Sequence, residues 1–222
     1  MSTRLGFEQA LRHLQDDILV LGSMVDKQLD RSIEALKRLD TEAARRIAHD
    51  DIEVNRKRFQ IEDRAIQLIA TQQPMARDLR TIVAVLIIAE ELERMGDYAE
   101  GIAKIILLHG DQPLLKPLID IPRMAELAQD MLRRSLDAFL ERDAVAARAI
   151  ANEDDEVDAL YNQVYRELLT YMFQDPTTFD RATWLLWVAH NLERFADRVT
   201  NICERVVFEV TGQMQEINTS KY

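Results

Sequence analysis

The residues that carry the most chemical information come in two matching sets. Leu92-Glu93-Arg94-Met95-Gly96-Asp97 and Leu192-Glu193-Arg194-Phe195-Ala196-Asp197 repeat one signature 100 residues apart. Each has an acidic partner upstream, Asp51-Ile52-Glu53-Val54-Asn55 and Asp154-Asp155-Glu156-Val157-Asp158. A charged signature that recurs at half the chain length marks an internal duplication. Side chains four residues apart on a helix share one face, roughly 5–6 Å from each other. The candidate ligands are therefore Asp51, Asn55, Glu93 and Asp97 in the first half, and Asp154, Asp158, Glu193 and Asp197 in the second. Three or four negative charges in one place repel unless a cation lies between them. Carboxylate-rich sets suit hard divalent cations such as Mg²⁺, Mn²⁺ or Ca²⁺, and iron also accepts them.

Convergence of each set depends on a hairpin. In an antiparallel helix pair, residues equally far from the turn lie at the same height. The midpoint between Asp51/Asn55 and Glu93/Asp97 falls on Pro74, and that between Asp154/Asp158 and Glu193/Asp197 on Asp175-Pro176. Proline is a helix breaker, so both turns are marked independently of the acids. A lone acid pair would mean little. With 39 acidic residues in 222, chance supplies about seven acid-x-x-x-acid pairs. On a helical wheel, Glu93 and Asp97 also lie away from the apolar stripe, toward an outer face. A merely solvated acidic face is the alternative, and any cation site is expected to be shallow.

The elements that must position these residues are helices. Six Gly and five Pro leave few breaks, and the chain is rich in Ala, Leu, Ile, Glu, Arg and Gln, all of them compatible with long helices. Six segments, 4–38, 41–71, 75–109, 121–141, 144–173 and 178–211, carry apolar residues at three- and four-residue spacing. Ile88, Leu92, Met95, Ala99, Ile102 and Ile106 form one stripe; Leu185, Val188, Leu192, Val199, Ile202 and Val206 form another. The expected fold is all-α. Two tandem three-helix bundles, residues 1–112 and 113–222, form an elongated body of six long antiparallel helices.

Other features narrow the function. A net charge of −11 argues against a nucleic-acid surface, which draws its affinity from clustered Lys and Arg. Cys203 is the sole cysteine, which rules out an intramolecular disulfide or a cysteine-based zinc site. The longest apolar run, Ile82 to Ala89, falls short of the roughly 20 residues that span a bilayer. A soluble, cytoplasmic chain that reaches a membrane only through partners is expected. No Gly-rich phosphate loop, Ser/His/Asp set or Cys/His set is present, nor the Glu-x-x-His of di-iron bundles, so an enzyme is not expected. His190, three residues before Glu193, reads as a polar-face histidine, with a supplementary ligand as the alternative. Arg94 and Arg194 are expected to pair with acids on a neighbouring helix, with binding of a partner as the alternative, and Trp184 and Trp187 to fill the core.

The duplicated pattern, with Asp-x-x-x-Asn/Asp followed by Leu-Glu-Arg-x-Gly/Ala-Asp, resembles the PhoU family of phosphate-signalling proteins over nearly the whole chain. The resemblance implies two PhoU domains in a cytoplasmic, usually dimeric protein. It further implies a negative regulator of the phosphate-starvation response. Such an adaptor links a high-affinity phosphate ABC transporter, through its nucleotide-binding subunit, to a membrane sensor histidine kinase. The family's acidic motif is associated with metal clusters, which would map onto Glu93, Asp97, Glu193 and Asp197, with Asp51, Asn55, Asp154 and Asp158 as upstream partners. Phe195-Ala196 departs from the usual Ile-Gly form, but Ala still permits tight packing. Asn55 offers a neutral oxygen where Asp158 offers a charged one, so the first site is expected to hold metal more weakly or to hold a smaller cluster. The competing expectation is a metal-binding helical protein with an enzymatic or storage role.

Overall fold

The computed structural model describes residues 2–110 and 112–217. Its elements are α1 (Ser2–Arg38), α2 (Thr41–Gln72), α3 (Arg77–His109), α4 (Asp120–Glu141), α5 (Ala144–Ala151), α6 (Asp154–Gln174), a 3₁₀ turn (Pro176–Thr178) and α7 (Phe179–Thr211). No strand occurs among the described residues.

In each half the first helix ends in the same turn. Leu39 and Arg142 adopt left-handed conformations, with φ of 52° and 57°. Asp40 N then donates to Ala35 O, and Asp143 N to Ala138 O, each at 2.9 Å. This is the six-to-one bond that closes a helix C-terminus. The same aspartate caps the next helix. Asp40 Oδ1 accepts from Ala43 N, and Asp143 Oδ1 from Val145 N and Ala146 N. Such caps stabilise a helix by about 1 kcal/mol each.

The expected segment 144–173 is broken, whereas its counterpart α2 is continuous. Around Asn152 and Glu153 the ladder tightens. Glu153 N donates to Ile150 O and Glu156 N to Glu153 O, both at 3.0 Å. Glu153 is held there by a forked ion pair with Arg134 of α4. Asn152 adds a short polar side chain that competes with helical hydrogen bonding.

Both predicted stripes are buried throughout, and each fully buried Leu, Ile or Val removes surface worth roughly 1.5–3 kcal/mol. Helices α1, α2 and α3 pack on one another, as do α4, α5, α6 and α7; α1 also meets α4. The most extensive contact joins α3 to α7. These two run antiparallel: Thr81 meets Glu209, Glu91 meets Asn201, and Gly101 meets Asn191. The repeated signatures therefore lie abreast near the middle of this pair. Trp184 packs against the core, but Trp187 is exposed. It sits about 100° around the helix from Val188, off the apolar stripe. Among the described residues, no helix is long and apolar enough to cross a membrane.

Candidate metal sites

Each hairpin brings its two acidic motifs together, and the two clusters differ in how the acids are held. In the first, α2 supplies Asp51 and Asn55 and α3 supplies Glu93 and Asp97. Asp51 is buried, Asn55 and Glu93 are half-buried, and Asp97 is exposed. Asp51 Oδ1 accepts from Gln28 Nε2 of α1, and Oδ2 from Asn55 Nδ2, both at 2.9 Å. Asn55 thus turns its amide nitrogen toward Asp51, as a donor that orients the acid. Gly96 makes this closeness attainable. A Cβ there would stand 3.1 Å from Val54 Cγ1, 3.2 Å from Gln28 Oε1 and 3.3 Å from Asp51 Oδ1.

Glu100, which the four-residue spacing passes over, joins this cluster from one turn beyond Asp97. One oxygen each from Asp51, Asp97 and Glu100 lies within 4.8 Å of the others. Ligands at 2.0–2.6 Å from a shared cation stand at most about 4–5 Å apart, so these three fit one hard cation. No other three such residues among the described ones come so close. Burial, then the charge of Asp97, raises the Glu93 carboxyl above its ordinary range. Burial, then Asp51 and Glu100, does the same for Asp97. Lys104 pairs with Glu100 at 2.6 Å, and Arg58 Nε lies 3.8 Å from Glu93.

In the second cluster, α6 supplies Asp154 and Asp158, and α7 supplies Glu193 and Asp197. Asp154 is buried and the other three are half-buried. Asp154 Oδ1 and Glu193 Oε2 are buried without a hydrogen-bond partner. The shared turn aligns Gln28 with Met131, so the donor that serves Asp51 is replaced by a fully apolar side chain. Burial, followed by the charges of Asp197, Asp158 and Glu193, pushes Asp154 up to about 7. Burial and then Asp197 push Glu193 up to about 7. Burial also raises Asp158 and Asp197. The four acids do not reach the mutual spacing of the first cluster, but two orphaned carboxylate oxygens in a ring of like charge call for a counter-charge that a hard cation would supply in place of the protons.

The flanking residues sort themselves. His190 Nδ1 lies 3.4 Å from Glu193 Oε2 without making a hydrogen bond, and burial lowers its basicity. It behaves as a neutral polar-face histidine. Arg94 pairs with Glu90 at 2.7 Å and Arg194 with Asp197 at 2.9 Å, each on its own helix. The expectation of cross-helix pairing fails because a residue one turn away meets the guanidinium first. Tyr98, across the interface on α3, raises the basicity of Arg194.

The comparisons with known proteins agree with this duplicated plan. A family model described as the PhoU domain matches residues 18–106 and again 121–206. A phosphate-specific transport system accessory protein PhoU homolog of Clostridium acetobutylicum is 37% identical over 97% of this chain and 99% of its own. One from Caulobacter vibrioides is 41% identical, over 93% of this chain and 90% of its own. The crystal structure of the phosphate transport system regulatory protein PhoU from Streptococcus pneumoniae superposes with a TM-score of 0.88 at 32% identity. It covers 94% of this chain and 99% of that one.

Proposed function

The chain belongs to the PhoU family, and on that premise we propose that it is a negative regulator of the phosphate-starvation response. It acts as an adaptor between the nucleotide-binding subunit of a high-affinity phosphate ABC transporter and a sensor histidine kinase, modulating phosphate uptake. It works in the cytoplasm as a homodimer, peripheral to the membrane through these partners. The two matched stretches support reading residues 1–112 and 113–222 as its two domains. Its action is a shift among partner-bound states rather than bond chemistry. The names of the relatives, all accessory to phosphate transport, support the system in which it acts.

One observation carries the adaptor reading furthest. Ile52, Phe59 and Ile66, all more than half exposed, line the outer face of α2 at seven-residue intervals. They extend over about 21 Å at 1.5 Å per residue. The same helix presents Asp51 and Asn55 to the first acidic cluster. A partner on the outer face and a cation on the inner one thus act on one rigid element. Each can bias the other only by binding its two states differently. The metal ligands proposed are Asp51, Asn55, Glu93, Asp97, Asp154, Asp158, Glu193 and Asp197, with Glu100 added to the first set.

The test is co-purification of the chain with the transporter's nucleotide-binding subunit and with the kinase. Wild type is expected to retain at least one, and Phe59→Glu to weaken that retention at least tenfold. Failure to retain either partner counts against the adaptor. The orphaned oxygens of Asp154 and Glu193 favour a second reading, a metal-dependent enzyme or metal store. That reading requires tightly held metal together with turnover or multi-ion loading.

A further inference from the structure

At the end of the molecule where the halves meet, away from both acidic clusters, α1, α3 and the end of α4 surround a polar cleft of about 480 Å³. Its walls include Arg12 from α1, Arg77 and Thr81 from the start of α3, and Arg142 from the turn after α4. We propose that this cleft binds a phosphorylated small molecule through its arginines. The proposal is independent of the adaptor reading and of the metal sites.

Three guanidinium groups converge from three separate elements in a chain whose net charge is −11. Such a grouping is repulsive unless anions answer it. The protein answers only part of it. Arg142 Nη1 pairs at 2.9 Å with Glu209, a carboxylate buried beneath the cleft, and Thr81 Oγ1 donates to the same carboxylate at 2.8 Å. Arg80, behind the wall, spends its Nε on Glu209 O. Arg12 and Arg77 make no ion pair among the described residues, and both are exposed. The acids on the rim are Glu8, which has a partner of its own, and Asp78.

Two unpaired planar forks beside a third that is already anchored suit the several oxygens of a phosphate group, which Arg meets in bidentate fashion. Arg142 is placed for this by its left-handed backbone at φ 57°, a conformation that Gly would adopt at lower cost. Its ion pair to Glu209 fixes the side chain at the cleft wall. The cleft is larger than one tetrahedral anion needs and lies within the roughly 300–1,000 Å³ range of small-molecule sites. A nucleotide-sized phosphate ester or anhydride is therefore the class assigned, with inorganic phosphate as the smaller source of the same chemistry. A ligand held between α1, α3 and the α4 turn would tie the two halves together at this end.

The experiment titrates the full chain with ADP, and separately with inorganic phosphate, at fixed ionic strength and with EDTA present to silence the carboxylate clusters. Saturable 1:1 binding of ADP is expected, weakened at least tenfold by Arg12→Ser or Arg77→Ser and unchanged by Arg94→Ser, which lies elsewhere. Phosphate that competes for the site with the same arginine dependence identifies the free ion as a further occupant and supports the site. Neither Arg12 nor Arg77 holds a structural ion pair, so both variants are expected to fold, with unchanged thermal unfolding as the check. Absence of saturable binding of both probes to millimolar concentration overturns the proposal. So does equal loss in Arg94→Ser, or binding that appears only when a divalent metal is added.

Discussion

In the first half Asp51 accepts hydrogen bonds from Gln28 and Asn55, whereas in the second its counterpart Asp154 keeps Oδ1 without a partner. The hairpins that present the two acids are nearly the same, down to the turn that leads into each. What differs is the third helix. Gln28 of α1 reaches Asp51, while the equivalent position in α4 holds Met131, which is buried and can donate nothing. The first cluster also gains Glu100, where the second has Thr200, whose hydroxyl donates to Asp197 O on its own helix. The first is a set of acids held in place by donors and close enough for one cation. The second is a more enclosed ring of mutually repelling acids, two of which sit near pH 7. Duplication fixed the frame, and a few substitutions outside the signature divided the two sites.

The largest way to break this comparison is to neutralise one cluster at a time. Asp154→Asn with Glu193→Gln is expected to weaken Mn²⁺ binding at the second cluster more than about 100-fold, since it removes ligands themselves and exceeds the 10–100-fold typical of supporting groups. Calorimetric titration should show the first cluster unchanged. Equal loss at both would mean that the halves do not bind independently.

Backbone closeness gives the next contrast. Gly96→Val drives a branched side chain against Val54, Gln28 and Asp51. It should cost about 2 kcal/mol by overpacking, or roughly 4–8 °C in Tm for a chain of this size. Ala196 already fills the equivalent place, and Ala196→Gly should cost under about 1 kcal/mol, the helix penalty of glycine alone.

The donor difference can be exchanged. Gln28→Met should weaken metal binding at the first cluster about tenfold, the effect of losing a supporting hydrogen bond. Met131→Gln should give Asp154 a donor and lower its titration midpoint from about 7. An unchanged midpoint, read by carboxyl NMR, would show that Met131 does not set the difference.

A further contrast is one of pH. Asp154 and Glu193 hold their protons more tightly when folded, near 7, than when unfolded, near 4. Their contribution to metal-free stability is therefore fully present below about pH 4 and is lost as pH rises through about 7. Glu153, which Arg134 pulls the other way, opposes this slope. Subtracting the profile of the Asp154→Asn, Glu193→Gln chain isolates it. A difference profile that is flat between pH 4 and 7 would refute the raised values.

Most of the frame was legible because apolar spacing and proline breaks are local signals. The two stripes and both hairpin turns needed no tertiary information, and neither did the register that sets Asp51 opposite Glu93 and Asp97. Residues that enter from a third helix were not legible. The hairpin argument says nothing of how α1 is rotated about its axis, so Gln28 and Met131 were invisible in it. Glu100 had one signal, its position three residues beyond Asp97 on the same face, which a search for four-residue spacing passes over. The break between α5 and α6 depends on Arg134 drawing Glu153 toward α4, a contact between distant residues. Asn55 was legible for its oxygen alone, and its second role, an amide nitrogen that donates to Asp51, depends on a side-chain orientation that spacing does not show.

The central claim is that this chain represses the phosphate-starvation response, and its most direct test is the output of a phosphate-starvation promoter in high phosphate after the chain is deleted from its own host. The account predicts derepression, reversed when the wild-type chain is restored. Unchanged repression in the deletion strain would contradict it and move the metal-centred reading to the front.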